Sequence, residues 1–391
     1  MVCDTVPARA LIAQRLFDGS VWHGPTLLRI ANGTIVALEP APALVPDGAV
    51  LLPADVFVAP GFIDVQVNGG DGVLLNDSPD VTSIARIARA HRRFGTTGLL
   101  PTLITDEPAK MEALLAVAEA GLAVPGVLGF HLEGPFLNPA RKGIHPEACI
   151  RVPDAADLAL LTQFGRLGRS LVTLAPEMMP PGTIRTLAEA GLVLSAGHSG
   201  ATAAETEAAI AAGLSGVTHL LNAMSQMTPR EPGLVGQTLG DDRLTAGIIC
   251  DGLHVAPLNL RLAYQLMGRE RLMLVTDAMP TVGSTRRSFR LQGRAIQLQD
   301  GKLKGPDGTL AGAHLTMIGS VRNAVALMGC RLEDALVMAA ATPARFLGLA
   351  RQRGQIAEGY AADLVALRGE RLAVWGTCIA GEWLMNLSPE L

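Results

Sequence analysis

Five side chains able to bind a metal or carry a proton lie at the ends of short apolar runs in this 391-residue chain. Glu133 ends the run VLGFHLE, His198 ends LVLSAGH, and His219 lies within GVTHLLN. Asp251 and Asp277 stand in two later runs, AGIICDG and LMLVTDA. One carboxylate and two imidazoles are the three protein ligands that a catalytic zinc keeps, with a fourth position open for water. The pattern predicts a mononuclear metal site.

Parallel strands of one barrel would bring these side chains together, because their carboxyl ends meet on one face. Eight apolar runs alternate with segments of helical period, which is the pattern of βα units. Eight units over roughly 250 residues match a (β/α)8 barrel. A doubly wound open sheet is the alternative, but it ordinarily uses fewer strands and a glycine-rich turn, and the chain has no GxGxxG motif or P-loop. The runs span residues 62–68, 98–105, 127–133, 171–177, 192–198, 216–222, 246–252 and 272–278, and a last helix is expected at 320–329.

The two ends of the chain are typical of antiparallel strands. Asn32-Gly33 is a type I′ hairpin signal, and the C-terminal segment has a turn at Ala380-Gly381 with no helical pattern. We therefore predict an α/β fold with a TIM-type (β/α)8 barrel over residues 58–355 and a small β-sandwich domain built from both termini, 1–57 plus 356–391. Residues 279–315 are expected to form a hairpin-like lid on the catalytic face.

Composition favours a small-molecule substrate. A net charge of -4 with 17% charged residues provides no basic field for nucleic acid or an anionic membrane. The N-terminus lacks a secretion signal, and the most apolar stretch, residues 113–130, contains Glu119 and Pro125, so we expect a soluble cytoplasmic protein. The odd number and scatter of the cysteines argue against a disulfide framework or a thiolate zinc site. These cysteines are Cys3, Cys149, Cys250, Cys330 and Cys378.

A second metal site is predicted to be weak or empty. Binuclear barrel hydrolases commonly carry His-x-His on strand one and a carboxylated lysine on strand four. This chain has Gln66 and Asn68 at the first position, and its fourth run ends in Glu177. Amides are poor ligands beside imidazole, so we interpret the two amides as hydrogen-bonding groups that shape the pocket floor.

Two further histidines are assigned outside the ligand set. His131 alternates with Glu133 on one strand and is expected to orient that glutamate or the attacking water. His91 lies beside Arg92 and Arg93 on a helix and is expected on a solvated face.

Seven segments, in the same order along the chain, resemble the N-acetylglucosamine-6-phosphate deacetylases, a family within the amidohydrolase superfamily. The resemblance covers nearly the whole chain. It implies metal-dependent hydrolysis of N-acetylglucosamine 6-phosphate to glucosamine 6-phosphate and acetate, in amino-sugar catabolism and cell-wall recycling, by a homodimer. The segments are GFIDVQVNGGDGV, HLEGPFLNPARKGIHP, LSAGHSGAT, THLLNAMSQMTPREPGL, DGLHV, VTDAMP and TLAGAHLTM.

The resemblance implies roles for individual residues. It places the metal ligands on Glu133, His198 and His219, in agreement with the barrel pattern, and the catalytic acid/base on Asp277. His145 corresponds to a catalytic histidine near the scissile carbonyl, where a donor stabilises the developing oxyanion.

The substrate-binding residues implied by the resemblance surround that centre. Arg230 suits a phosphate, since a guanidinium fork matches phosphate oxygens, and it is expected to reach the neighbouring subunit's site. His314 departs from the family pattern, which has a small residue at that position of the lid. The other substrate contacts implied are Ile144, Asn222, Ala223, Asp251, Gly252, Leu253, His254, Leu310, Ala311 and Gly312.

Several alternatives stay open at this level. The expected cofactor is one divalent metal ion per subunit, zinc first, although iron, cobalt or manganese suits the same ligands. Tolerance for other N-acyl groups and sugar epimers depends on pocket shape. A cyclic-amide or dipeptide hydrolase and a non-catalytic barrel scaffold are the competing hypotheses; the first lacks its His-x-His pair and lysine, and the second would not keep all three ligands.

Overall fold

The computed structural model describes residues 6–7 and 10–386, so Cys3 and the outermost residues of the predicted terminal domain lie outside the described part. In chain order, strands β1 to β25 span Val6–Pro7, Ala10–Ala13, Leu16–Phe17, Trp22–His23, Thr26–Ala31, Thr34–Pro40, Val50–Leu51, Val56–Pro60, Phe62–Val67, Gly69–Gly70, Val73–Leu74, Thr96–Ile104, His131–Glu133, Leu171–Leu174, Val193–Ala196, Gly216–Val217, Thr245–Ile249, Leu272–Val275, Ser288–Leu291, Arg294–Gln299, Lys302–Lys304, Leu310–Ala313, Leu364–Arg368, Ala373–Ile379 and Glu382–Met385.

Eight parallel strands confirm the predicted barrel. They pair in the order β9, β12, β13, β14, β15, β16, β17, β18, which is the order of the eight predicted runs. A bridge between Val67 and Ala278 joins the last strand to the first, and the N–H of Asp277 donates to the carbonyl of Gln66 at 3.0 Å. The closed arrangement places the polar residues that follow each strand around one opening.

Helices α1 to α10 follow or connect the barrel strands. The helix expected at 320–329 is present, since α8 at Met317–Asn323 passes into a π-helical turn over Ala324–Met328. It is not the last helix, because two further helices come after it. Short 3-10 turns lie at Pro139–Arg141, Glu147–Cys149 and Pro176–Met178. The helices α1 to α10 span Val81–Arg92, Pro108–Leu122, Ala155–Phe164, Thr183–Glu189, Ala203–Ala211, Gly233–Gly240, Pro257–Arg271, Met317–Asn323, Leu332–Ala339 and Ala341–Phe346.

Strands from both ends of the chain form two sheets that pack around a shared core. One sheet has the order β1-β25-β24-β23-β8-β3-β4 and the other β6-β5-β2-β7. The expected hairpin is present, with Asn32 and Gly33 at φ 49° and 73° between β5 and β6. The domain limits at 57/58 and 355/356 stay a prediction. The core residues include Leu11, Leu28, Ile35, Val58, Leu364, Ala366 and Trp383.

The insertion after β18 is a four-stranded antiparallel sheet, β19-β20-β21-β22, instead of a single hairpin. Its apolar side packs onto loops at the carboxyl ends of the first barrel strands. This packing fixes the insertion over the opening where the predicted site residues lie. The contact cluster joins Leu291, Ile296, Leu303 and Ala311 to Leu74, Ile104, Ile144 and Met279.

The expectation that His91 is solvated was wrong. Its ring is fully buried, and Nε2 lies 2.9 Å from the carbonyl oxygen of Gly69. A Cβ at Gly70 would lie 3.1 Å from His91 Nε2, so the glycine leaves room for the ring. Burial lowers the pKa of His91 to about 4, and the imidazole is therefore a neutral link between α1 and the first barrel loop.

No helix within residues 6–7 and 10–386 is both long and apolar enough to cross a bilayer. Cys250, Cys330 and Cys378 are buried free thiols, and Cys149 is a partly buried one.

Asp64 is a buried carboxyl group inside the barrel. The Thr276 hydroxyl donates to its Oδ2 at 2.5 Å, and the N–H groups of Gln66 and Thr276 donate to Oδ1 at 3.2 and 3.3 Å. These three donors only partly offset burial, which raises the pKa of Asp64 to about 7.

We predict that Asp64 makes stability fall as pH rises. Because folding raises its pKa, its stabilising contribution is fully present below about pH 4 and is lost as the pH approaches about 7, at up to about 1.4 kcal/mol per pH unit. The difference in unfolding free energy between wild type and Asp64→Asn, measured by urea titration from pH 4 to 8, should therefore shift in favour of the variant. Exposed Asp47→Asn is the control, and a pH-independent difference for Asp64→Asn would contradict the prediction.

Candidate active site

Three predicted ligand side chains converge at the opening of the barrel. Glu133 ends β13, and His198 and His219 follow β15 and β16 by two residues each. Glu133 Oε1 lies 3.1 Å from His219 Nε2 and 3.3 Å from His198 Nε2, and the two Nε2 atoms are 3.0 Å apart. All three residues are buried, and one ligand atom from each falls within 4.8 Å of the others. This donor set fits a single divalent cation.

The charges of the cluster are strongly coupled. Burial alone would raise the pKa of Glu133, but the imidazoles of His198 and His219 beside its carboxylate hold it well below its usual range. Burial alone would lower the pKa of His219, yet Glu133 raises it. The pocket therefore keeps an ionised carboxylate and favours positive charge beside it.

The backbone at three site residues is left-handed. His198, His219 and Asp277 have φ values of 49°, 35° and 50°. Such a conformation costs a residue with a Cβ about 1–3 kcal/mol and persists where its surroundings fix it. The strained turns point side chains from the ends of β15, β16 and β18 into the same space.

His198 is oriented through its second ring nitrogen. Nδ1 lies 2.9 Å from the carbonyl oxygen of Arg141, which ends the 3-10 turn Pro139–Arg141. A carbonyl only accepts, so Nδ1 carries a proton, and in the neutral tautomer that this bond selects the Nε2 lone pair faces Glu133. This tautomer is the one that binds a metal through Nε2.

Asp277 is held beside the ligands by two amides. Asn68 Nδ2 donates to Asp277 Oδ1 at 2.6 Å, and Gln66 Nε2 lies 3.3 Å from the same oxygen and 3.1 Å from Glu133 Oε1. Burial, and then the charge of Glu133, raises the pKa of Asp277 to about 7. Both amides therefore serve as donors to carboxylates, in line with the interpretation that they shape the pocket floor.

His145 packs against the ligand cluster. Its ring centroid is 4.4 Å from that of His198, and Nδ1 lies 2.7 Å from the Thr105 hydroxyl. Burial, and then His198, lowers the pKa of His145 well below its ordinary value, so the ring is neutral. If the hydroxyl donates to Nδ1, Nε2–H is left as the donor that an oxyanion requires.

Four buried polar atoms around this opening have no hydrogen-bond partner among the described residues. Buried polar groups in folded proteins are normally satisfied, so such a concentration indicates a place for a polar ligand or ion. The atoms are Asn68 Oδ1, His219 Nδ1, Asn222 Nδ2 and His254 Nε2.

Asp251 and His254 form a preorganised pair after β17. Asp251 Oδ2 lies 2.6 Å from His254 Nδ1, and its Oδ1 accepts the N–H groups of Leu253 and His254 at 2.8 Å each. Burial alone would raise the pKa of Asp251, but the hydrogen bonds from His254 keep it lowered. Gly252 adopts φ 70° in this turn. The carboxylate thus fixes the ring whose Nε2 is free.

The insertion sheet is attached directly to Asp277. Ala313 N–H donates to the Asp277 carbonyl at 2.8 Å. Gly312, at φ 58°, passes so close that a Cβ would lie 2.8 Å from that carbonyl oxygen. Arg294 of β20 also donates to the carbonyl of Ile144, next to His145. The predicted lid residues Leu310, Ala311 and Gly312 are therefore coupled to the backbone of the site.

The other predicted substrate-contact residues lie at the margin of the site. Asn222 N–H donates to the His219 carbonyl at 3.0 Å, and Ala223 follows in a left-handed conformation, φ 51°. Arg230 is exposed in the loop before α6 and forms no ion pair with the described residues. His314 is exposed, and its Nδ1 lies 2.9 Å from the Thr281 hydroxyl.

His131 is committed to the barrel interior. Its Nδ1 and Nε2 lie 3.3 and 2.8 Å from the hydroxyls of Thr102 and Thr173, so both ring nitrogens are used there.

Sequence reasoning missed three partners of the site: Thr105, the Arg141 carbonyl and Arg294. Thr105 closes the second predicted run and was open to inspection, whereas the backbone carbonyl and the insertion contact leave no pattern in the sequence.

Comparisons with known proteins agree on one family. The model of the amidohydrolase family matches residues 57–384. The chain is 44% identical to an N-acetylgalactosamine-6-phosphate deacetylase of Shewanella sp. (strain ANA-3) and 40% identical to the N-acetylglucosamine-6-phosphate deacetylase of Homo sapiens; each match covers 83% of this chain and 82% of the relative. The crystal structure of N-acetylglucosamine-6-phosphate deacetylase from Pasteurella multocida superposes with a TM-score of 0.92 at 34% identity, covering 96% of this chain and 99% of that one.

We predict that Asn68→Ala lowers kcat without unfolding the protein. It removes the 2.6 Å hydrogen bond to Asp277, and a hydrogen bond to a charged group is worth about 1.5–3 kcal/mol, or about 10- to 100-fold in rate. The matched control is Asn76→Ala, because Asn76 is equally buried but donates to Ile104 and Asp106 instead. Steady-state kinetics and thermal unfolding of both variants separate the two effects, and equal loss of kcat would contradict a specific role for Asn68.

Proposed function

Because the chain belongs to the amidohydrolase family, we propose that it hydrolyses the acetamide of N-acetylglucosamine 6-phosphate, releasing acetate and glucosamine 6-phosphate. The observation that carries this proposal is the convergence of Glu133, His198 and His219 beside Asp277. Relatives with this activity in their names match over most of the chain. The free thiols of the described cysteines suit the cytoplasm, where we place the reaction.

Glu133, His198 and His219 would hold one divalent cation. When bound, such a cation lowers the pKa of a coordinated water and polarises the acyl carbonyl. Zinc is the ion we propose first, since nitrogen and carboxylate donors suit it, and iron, cobalt or manganese fits the same ligands.

Asp277 is the general base and then the general acid. Its carboxylate, held by Asn68 and Gln66, takes a proton from the attacking water and returns it to the departing amine nitrogen. One group can serve both steps because the proton gained in the first is the proton required in the second. His145, whose Nδ1 lies 2.7 Å from the Thr105 hydroxyl, would donate Nε2–H to the oxygen that gains charge.

The sugar phosphate is proposed to bind along the adjoining loops. Arg230 would pair with the phosphate together with backbone groups of Asn222 and Ala223, since guanidinium and N–H donors suit its oxygens. His254 Nε2, oriented by Asp251, would contact the phosphate or a hydroxyl. The further contacts we propose are Ile144, Gly252, Leu253, Leu310, Ala311 and Gly312.

A homodimer is proposed to complete this site. Leu258, Leu262 and Leu266 of α7 are 58%, 45% and 57% exposed, and their spacing by four places them on one helix face. The helix begins three residues after His254. A second copy covering this apolar face would bring its own surface to the phosphate side of the pocket, which is where we place its Arg230.

The C4 epimer, N-acetylgalactosamine 6-phosphate, is the second candidate substrate. A relative named for that activity is 44% identical to this chain. Both epimers present the same acetamide and phosphate, so the metal site and phosphate contacts serve either.

We predict acetate release from N-acetylglucosamine 6-phosphate and none from unphosphorylated N-acetylglucosamine, because the latter lacks the phosphate contacts; the galacto epimer is assayed beside them. Asp277→Asn should keep its metal while kcat falls by at least about 100-fold, the usual scale of general acid–base catalysis. An enzymatic acetate assay with metal analysis measures both. A faster rate with the galacto epimer would support the second candidate, and a fully active Asp277→Asn would refute the assigned role.

A second prediction tests whether Arg230 acts across the dimer. Arg230→Ala and Asp277→Asn chains, co-expressed with different tags and purified as mixed dimers, should regain activity at one of the two sites, roughly half of wild type, because that site has an intact Asp277 and receives an intact Arg230. Each variant alone is the control, as is a chain carrying both substitutions. Mixed dimers no more active than the separate variants would place Arg230 in its own subunit's site, and recovery of only monomers would contradict the dimer.

A further inference from the structure

Glu177 lies outside the proposed chemistry, yet three hydrogen bonds converge on its carboxylate. It stands in the 3-10 turn Pro176–Met178, just after barrel strand β14. Oε1 accepts the N–H of Gly200 at 2.5 Å and Nδ2 of Asn138 at 2.9 Å, and Oε2 accepts the hydroxyl of Ser199 at 2.7 Å. Both oxygens are therefore occupied by groups from two other loops.

Two of these donors follow His198 directly in the chain. The backbone of His198 is left-handed at φ 49°, a conformation that its surroundings must fix. Ser199 is fully buried, and its hydroxyl also accepts the N–H of Ala201 at 3.0 Å. The contacts of Glu177 with Ser199 and Gly200 thus hold the turn that gives His198 its direction.

The third donor controls the opposite side of the same imidazole. Asn138 caps the turn Pro139–Arg141 by accepting the N–H of Ala140 at 2.9 Å, and its own N–H donates to the His198 carbonyl at 2.9 Å. That turn ends at Arg141, whose carbonyl accepts His198 Nδ1–H at 2.9 Å. Glu177 therefore reaches both the backbone of His198 and the carbonyl that selects its tautomer.

We infer that Glu177 is a positioning residue for metal binding. Its carboxylate fixes the loop after His198 to the loop that carries the Arg141 carbonyl, and it thereby keeps Nε2 of His198 aimed at Glu133 and His219. The inference rests on the proposed metal site. It adds to that site Glu177, which lies in the turn after β14. Groups that orient a metal-binding histidine typically change metal affinity by about 10- to 100-fold when they are removed.

Two substitutions of Glu177 and one control substitution test the role of its hydrogen bonds. Glu177→Ala removes all three acceptor contacts. Glu177→Gln keeps one carbonyl oxygen for Gly200 and Asn138, and the Ser199 hydroxyl can rotate to accept from the new amide; the remaining bonds are neutral and weaker. Glu205→Ala is the matched control, because Glu205 also accepts a backbone N–H, that of Thr202 at 2.8 Å, but only to cap α5 in the next βα unit.

The experiment measures the zinc dissociation constant of chelator-stripped full-length protein with a competing indicator, beside the melting temperature with and without zinc. We expect Glu177→Ala to weaken zinc binding by at least about 10-fold and to lose most of the zinc-induced rise in melting temperature, with Glu177→Gln in between. Glu205→Ala should lower the melting temperature of the metal-free protein but bind zinc like wild type.

Each outcome separates this inference from the proposed function. Wild-type protein that binds no metal would refute the proposed site itself. Zinc binding by Glu177→Ala as tight as that of wild type, or weakened equally in Glu205→Ala, would overturn the positioning role while leaving the proposed function intact. If Glu177→Ala does not fold, Glu177→Gln and Ser199→Ala decide, and unchanged zinc affinity in both would overturn it.

Discussion

The central constraint of this structure is that one carboxylate oxygen and two imidazole nitrogens share a buried space within 4.8 Å. With the Nδ1 proton of His198 committed to Arg141, its Nε2 lone pair faces His219 Nε2 at 3.0 Å and Glu133 at 3.3 Å. Lone pairs and a negative charge at such distances repel unless a positive charge lies among them. The cluster therefore favours a positive charge among these atoms, which a bound cation or a proton on His219 supplies.

The strands and the loops of the barrel have different roles in satisfying this constraint. Parallel strands bring the ligands to one opening, and left-handed residues after β15, β16 and β18 turn the side chains inward. Hydrogen bonds then fix each group from outside: Asn68 holds Asp277, Thr105 holds His145, and Asp251 holds His254. The insertion sheet adds a further restraint, because its last strand is bonded to the Asp277 carbonyl.

Much of this arrangement follows from the sequence, because strand ends in a barrel are marked by where apolar runs stop. That rule identifies all eight strands and groups Glu133, His198 and His219 as candidates, and the fold brings these three side chains together. It fails where side chains respond to tertiary packing: His91 sits in a polar helical stretch yet is buried against Gly69. The rule also says nothing about backbone groups. The contact of the Arg141 carbonyl with His198 and the contacts of Glu177 with its neighbouring loops are therefore visible only in the folded structure.

The most direct test of this account is the number of metal ions bound per chain in purified wild-type protein, determined by elemental analysis beside a His198→Ala, His219→Ala double variant. Three protein ligands around one open position predict close to one ion per chain for wild type and almost none for the double variant. A wild-type ratio near zero, a ratio near two, or full retention of metal by the double variant would contradict the single site built from Glu133, His198 and His219.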